Sequence, residues 1–535
     1  MKTLTFIIGV FLSLLTQPLV AANFTVDIAA DDADAHDTNP GDGVCSDTLG
    51  YCTLRAAIEE ANATAAADVI LFDSGFVGAR LVLATSEGPL PPISTPIHIL
   101  AYGIAAYNSS ATLLRDAPPQ FTIDGNQLNS GNGLIFSNAN ASGSVVSALA
   151  IVNFPSDGIV MALGADNISV NRSYIGVNPD GTSGGNGGHG INAAITDSHN
   201  IGKTRHSNGN SFVSLGNVIS HNVGSGIRLF DSNDNTIHGN LIGISPTGSG
   251  DRGNGEFGIY MYGDNNQVGD FIGTAEAGNF IAANNSGGIS IDGDNNRIYT
   301  NELGKGETGG FINSEGHGIT VLGDANFIGT GQEISGNKIY EHEGAGISLG
   351  ITNTSEANNN FIMNNTIGSA GSSFPLLLSG SSNGIKITNG NTNVIANNRV
   401  INSGIDGGDG DGIYVRGDLN SVTGNQVGFV DILFGSVASE PNTGYGIYIL
   451  GDGNTIGSEG LPNLVGGNLF TGIRTIGDSN AINYNHIGVG GAFQPIGNEA
   501  SGLVVTHNGS GLEIKENIIG SNLGTGVYLI GDVIV

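Results

Sequence analysis

GIRLFDSNDNTIHGNLIG, residues 226–243, decides the fold. A glycine leads a short apolar stretch, a Gly/Asp/Asn-type turn follows, then a second short strand and another turn. The unit recurs immediately downstream as GIYMYGDNNQVGDFIG from Gly258 and GISIDGDNNRIYTNELG from Gly288. Its Gly-aliphatic mark stands at Gly158, Gly190, Gly226, Gly258, Gly288, Gly318, Gly346, Gly384, Gly412, Gly446, Gly472, Gly502 and Gly526, at spacings of 24 to 38 residues. Alternating strands this short point one set of side chains inward. One unit cannot bury that face alone, but stacked copies can. The variable spacing is absorbed if insertions such as GISPTGSGDRGNGEF, residues 243–257, loop outward. The fold expected is all-β: a single-stranded right-handed parallel β-helix. Leucine-rich repeats and propellers lack support, since the Leu/Asn ladder and Trp-Asp signature are missing.

Composition agrees. The chain has 535 residues, 88 of them Gly, no Trp, and 12% charged residues. Regular Ile, Val and Leu argue against disorder. A formal charge of −31 makes nucleic acid an unsuitable partner. An asparagine closes the second strand at Asn171, Asn240, Asn301, Asn365, Asn425, Asn485 and Asn517. Asparagine tolerates the left-handed backbone of a sharp corner, and stacked amides bond along the axis.

The chain divides into four stretches. Residues 1–22 read as a secretory signal, with Lys2, the apolar run Leu4–Leu15 and small residues Val20-Ala21-Ala22 before the cut. This implies a secreted or surface-exposed protein that does not span a membrane. Residues 23–78 form an N-terminal cap, 79–157 irregular first coils, and 158–535 the regular repeats. Within the cap, CTLRAAIEEANA, Cys52–Ala63, is the best helix; Thr53 caps it, and Leu54, Ala57, Ile58 and Ala61 share a face. In an exported chain Cys45 and Cys52 are expected to form a local disulfide, the alternatives being free thiols or half of a metal site. Arg55 reads as structural, paired with a nearby carboxylate. At the other end Val535 falls inside a repeat, so the expectation is a partner, or a further segment, over the last coil.

These repeats resemble the pectin-lyase-like superfamily, particularly exported β-helix proteins with right-handed β-helix (PbH1, NosD-like) repeats, over residues 80–535. The front end resembles the CSLREA-type N-terminal domain of exported bacterial β-helix proteins; the signature stands here as CTLRAA, with Thr53 and Ala56 departing from it. The superfamily hosts lyases, hydrolases, epimerases and adhesins, so the resemblance implies a fold more than an activity.

Three features ask for chemistry. Asp31, Asp34, Asp37, Asn39 and Asp42 crowd the polar stretch ahead of the helix, a pattern of oxygen ligands that fits Ca²⁺, or else a solvated loop. A G-D-x-N turn places Asp264, Asp294 and Asp324, then Asp418, Asp452 and Asp478, at equivalent positions of successive coils. Such a column repels itself, so either Ca²⁺ bridges it or each Asp accepts its own turn's N–H. Last, the outward positions of the Gly-aliphatic strands concentrate cations and aromatics: Arg228, Phe230, Tyr260, Tyr262, Lys386, Tyr414, Arg416, Tyr448, Arg474 and Tyr528. In proteins of the resembled superfamily this face carries the carbohydrate groove. Tyr stacks on sugar rings and Arg pairs with uronate or sulfate. Catalytic motifs are weak. GHGI occurs at His189 and His317, and Asp409 and Asp411 precede a strand, but Arg-Ile-Lys, Asn-Thr-Asp and Arg-x-Pro-x-x-Arg are absent. The leading expectation is a glycan-binding surface protein of adhesin-like or structural type; the alternative is a polysaccharide lyase or epimerase acting on an acidic glycan.

Overall fold

The computed structural model describes residues 21–104, 117–202, 204–206, 212–214, 216–269, 278–329, 336–352, 355–368, 382–404, 410–432 and 436–531. The expected signal segment lies almost wholly outside them, as do Asp409 and residues 532–535. Three long sheets of 16, 15 and 14 strands run along one axis. We name them A, B and C in that order. The chain visits them in rotation; Thr236–Ile237 lies in A, Leu241–Ile242 in B and Phe257–Tyr262 in C. Every pairing within them is parallel and joins one coil to the next, as in Ile227↔Ile259, Ile259↔Ile289 and Ile289↔Ile319. The architecture is the right-handed parallel β-helix expected. Among the described residues no helix is long and apolar enough to cross a membrane.

Period-two alternation builds the core. On sheet C, Ile191, Ile227, Ile259, Ile289, Ile319, Ile347, Ile385, Ile413, Ile447 and Ile473 form one buried inward row. The leading glycine answers to close approach: a Cβ on Gly226 would lie 2.7 Å from the Gly258 carbonyl oxygen.

Each corner between sheets buries a column of polar side chains. At the A-to-B corner Asn217, Asn240, Asn279, Asn301, Asn337, Asn365, Asn398, Asn425, Asn463, Asn485 and Asn517 stack without interruption, each Nδ2 donating to the next Oδ1 at 2.9–3.0 Å. At the C-to-A corner the run is Asn235, Asn266, Asn296, Asn326, Asn360, Asn393, Asn420, Asn454 and Asn480, joined by backbone N–H to Oδ1 bonds. Six of the seven expected asparagines sit in the first ladder. Asn171 does not; Ser173 takes the rung, donating its N–H to Asn217 Oδ1. The left-handed residue is also not the rung itself but the one before it, such as Thr300 (φ 54), Asn364 (φ 58) and Tyr484 (φ 61). The turn belongs to that neighbour; the asparagine is needed for its buried amide.

The helix Leu54–Asn62 lies across the strands Asn23–Val26 and Asp68–Phe72. Thr53 Oγ1 caps it by accepting the Ala56 N–H at 3.0 Å. Cys45 and Cys52 form the expected disulfide, Cα–Cα 5.2 Å. Arg55 is buried and forks onto Asp31, Nε–Oδ1 2.7 Å and Nη2–Oδ2 3.0 Å, while its remaining donors reach the Gly88 and Pro89 carbonyls. It is thus a staple between the polar loop, the helix and the first coils.

Candidate functional site: the outer face of sheet C

Strand register places all ten sequence-derived candidates on one face, Tyr528 being reached from Arg474 through Val504. Arg228, Tyr260, Ser290, Thr320, Ser348, Lys386, Tyr414, Tyr448 and Arg474 succeed one another as a single outward row. Tyr262 and Arg416 stand in the second outward row, beside Phe230 and Leu450.

The row is not uniform. Near its start, the Arg228 guanidinium lies 4.5 Å over the Phe230 ring, Phe230 stacks on Tyr262 at 5.2 Å, and Phe257 stacks on Tyr260 at 6.0 Å. Arg228 Nη1 also donates to Asn192 Oδ1 at 3.0 Å. Toward its end, Tyr448 meets Tyr414 edge-on at 5.5 Å and Tyr445 at 5.0 Å, and Tyr445 meets Phe470 at 5.7 Å. The Arg474 guanidinium lies 5.8 Å from the Tyr445 centroid and 5.9 Å from that of Tyr448. Lys386 is the register neighbour of Tyr414. Between the clusters Ser290, Thr320 and Ser348 form a low, hydroxyl-bearing floor. Sequence reasoning overlooked Phe257, which opens the strand Phe257–Tyr262, and Tyr445 and Phe470, which stand in corners outside the strands. The signal was available: Phe257 and Tyr445 each immediately precede a Gly-aliphatic strand.

Burial pushes the Tyr260 and Tyr414 hydroxyls above the ordinary tyrosine range. Both phenols stay protonated at neutral pH and serve as neutral hydrogen-bonding groups. The GHGI histidines hold backbone. His189 Nδ1 accepts the Ser225 N–H at 2.9 Å and His317 Nδ1 that of Ala345 at 2.8 Å. Burial lowers the pKa of each, keeping the rings neutral. Asp411 Oδ1 accepts the Tyr445 N–H at 2.7 Å.

The aspartate column runs beside this face. Asp264, Asp294 and Asp324 stack as expected, but none accepts within its own turn. Asp264 Oδ1 takes the Asp294 N–H at 2.8 Å, Asp294 Oδ1 the Asp324 N–H at 2.7 Å, and Asp324 Oδ1 the Asn358 N–H at 2.7 Å. Asp418, Asp452 and Asp478 repeat the pattern. A charge-assisted bond to the next coil is the local offset to the repulsion between carboxylates. Asp231, Asp264, Asp292, Asp294, Asp324 and Glu356 line an open cleft of about 430 Å³ with Tyr262 at its side. The front loop spends its oxygens similarly. Asp37 accepts the Asn39 and Ser46 N–H groups, Asp42 those of Val44 and the Asn39 amide, Asp34 the Thr48 hydroxyl, and Asp31 holds Arg55. Among the described residues no three His, Cys, Asp or Glu side chains are grouped to hold a metal ion.

No family model matches the chain and no curated protein matches its sequence. Solved structures do. A periplasmic alginate epimerase double mutant is 14% identical, covering 88% of this chain and 78% of its own, with a TM-score of 0.27. DFA-IIIase from Arthrobacter chlorophenolicus is 13% identical over 93% of this chain and 98% of its own, TM-score 0.30. The A-module of the Azotobacter vinelandii mannuronan C-5 epimerase AlgE4 is 11% identical over 90% and 94%, TM-score 0.29. Identities this low speak to fold alone.

Proposed function

We propose that this chain is an exported, secreted or surface-held β-helix that binds polysaccharide along the outer face of sheet C, in an adhesin-like role. One observation carries the reading: Tyr414, Tyr445, Tyr448, Phe470 and Arg474 converge at the surface of an otherwise acidic, charge-poor solenoid. Aromatic faces stack on sugar rings, and a guanidinium held over aromatic rings keeps its fork for a uronate or sulfate. The disulfide supports an oxidising compartment and hence export.

Binding to immobilised polyuronate, sulfated glycan and neutral glucan, with and without Ca²⁺, tests the proposal. Tyr448→Ala and Arg474→Ala are each expected to weaken binding about tenfold, the size of one lost cation–π or stacking contact. Thr320→Ala on the floor is expected to change little. Unchanged binding in both Tyr448→Ala and Arg474→Ala sinks the reading. A second reading, a lyase or epimerase on an acidic glycan, is favoured by Asp411 standing just ahead of the strand Ile413–Arg416 that carries Tyr414 and Arg416, so that a carboxylate, a phenol and a guanidinium lie close along the chain. New unsaturated ends on a polyuronate for a lyase, or inverted uronate C5 centres without chain cleavage for an epimerase, lost in Tyr414→Phe, would establish it.

A further inference from the structure

The third corner, from sheet B to sheet C, breaks its ladder. Asn186, Asn222, Asn254 and Asn284 stack, and Asn442, Asn468, Asn498 and Asn522 stack again. Between the two runs the rungs are Ser314, His342 and Ser403, with one further coil outside the described residues. Asn284 Nδ2 donates only back to its own Ala282 carbonyl. Ser314 and His342 face each other as register partners, yet Ser314 Oγ, both ring nitrogens of His342, the neighbouring Glu341 Oε1 and Ser403 Oγ are all buried without a hydrogen-bond partner. His342 is fully buried. Such groups cost free energy in the closed state and regain water when the coil opens. We propose that this coil is an acid-triggered opening point of the solenoid, loosening the middle of sheet C between its two aromatic clusters as the pH falls.

The charges around His342 set the sign. Burial and the facing His317 hold the His342 ring neutral, pushed down to about 3. A ring that is neutral when closed and has an ordinary pKa of 6.5 when open takes up a proton on opening, so opening is favoured below about pH 6.5. His317, on the strand His317–Val321, is itself depressed by burial and by Lys386 and acts in the same direction. Glu341, raised by burial, acts oppositely. Glu343 flanks the ring on its own segment, and Glu315 lies on the paired segment ahead. Asn284 and Ser403 are neutral, and residues 369–381 contain no ionisable side chain. Replacing His342 alone leaves all these groups in place and isolates its share.

Amide hydrogen exchange across residues 314–349 reads the opening, with residues 442–472, where Asn442 and Asn468 fill the rungs, as the internal control. Between pH 7.5 and 4.5 the intact protein should lose about 100-fold in protection over 314–349, the yield of one linked proton through two pH units below 6.5. His342→Asn restores the ladder residue and should remove about that factor; His342→Gln serves if the first variant fails to fold. Equal pH dependence in the two segments of the intact protein overturns the proposal. So does a pH dependence over 314–349 that both variants retain in full.

Discussion

The A-to-B and B-to-C corners solve the same problem with different completeness. Both turn the chain sharply and both bury backbone polar groups that water cannot reach. The first fills every rung from Asn217 to Asn517 with an amide that accepts from one coil and donates to another. The second leaves a stretch where the side chains of Ser314 and His342 satisfy nothing. The fold survives because each coil is held at three corners and by three sheet ladders, and in a solenoid a local defect is felt mainly by its neighbours. An asparagine rung is therefore a device for local stability rather than a condition of folding.

The largest expected effect breaks the intact side. Asn337→Ala takes from Asn301 the acceptor of its backbone N–H and one of the two acceptors of its side-chain amide, and removes the amide donor to the Ile298 carbonyl. A loss of about 2–4 kcal/mol is expected from orphaning buried groups in one network. Ser314→Ala, whose hydroxyl has no partner, should cost under about 0.5 kcal/mol. Thermal unfolding of the two variants side by side measures the contrast. Equal losses would show that rung chemistry does not distinguish the corners.

Next in size is His199, which heads the C-to-A ladder. Its N–H donates to Asn235 Oδ1 at 2.8 Å and its Nδ1 accepts the Ile168 N–H at 3.2 Å, so it works as a rung while neutral. Burial pushes its pKa down to about 4. The stability this contributes is fully present above pH 6.5 and is lost as the pH falls toward 4, about 3 kcal/mol across the window. His199→Asn should keep the rung and flatten that dependence in urea titrations run from pH 7 to 4. If the variant's profile tracks that of the parent, burial of this ring is not what is being titrated.

How legible was this in the sequence? Periodicity carried the fold, because Gly-Ile strands and Asn-ended turns repeat at positions that only stacking makes equivalent. The ligand-face candidates were legible for the same reason: alternation from a marked glycine fixes which side chains point out. Tyr445 and Phe470 were not, since corner residues obey no two-residue period. The break at His342 was hidden too. A missing asparagine at one corner is noise in a repeat of variable length until register aligns Ser314 with His342. The donor to each column aspartate lay beyond sequence altogether, because an intra-turn and an inter-coil N–H look alike along one chain.

That column provides the smallest predicted effect. Asp294 accepts the Asp324 N–H through Oδ1 and donates its own N–H to Asp264 Oδ1. Asparagine keeps the acceptor and removes one of three neighbouring charges, at an exposed site where each repulsion amounts to about 1 kcal/mol or less. Asp294→Asn should therefore raise the melting temperature slightly in chelator and by the same amount in Ca²⁺. If a cation bridges the coils, the order reverses. Ca²⁺ would stabilise the parent by mass action, and the variant would lose that gain. Melting curves of both proteins, with Ca²⁺ and with chelator, decide whether the carboxylate ladder is held by its own backbone or by a metal.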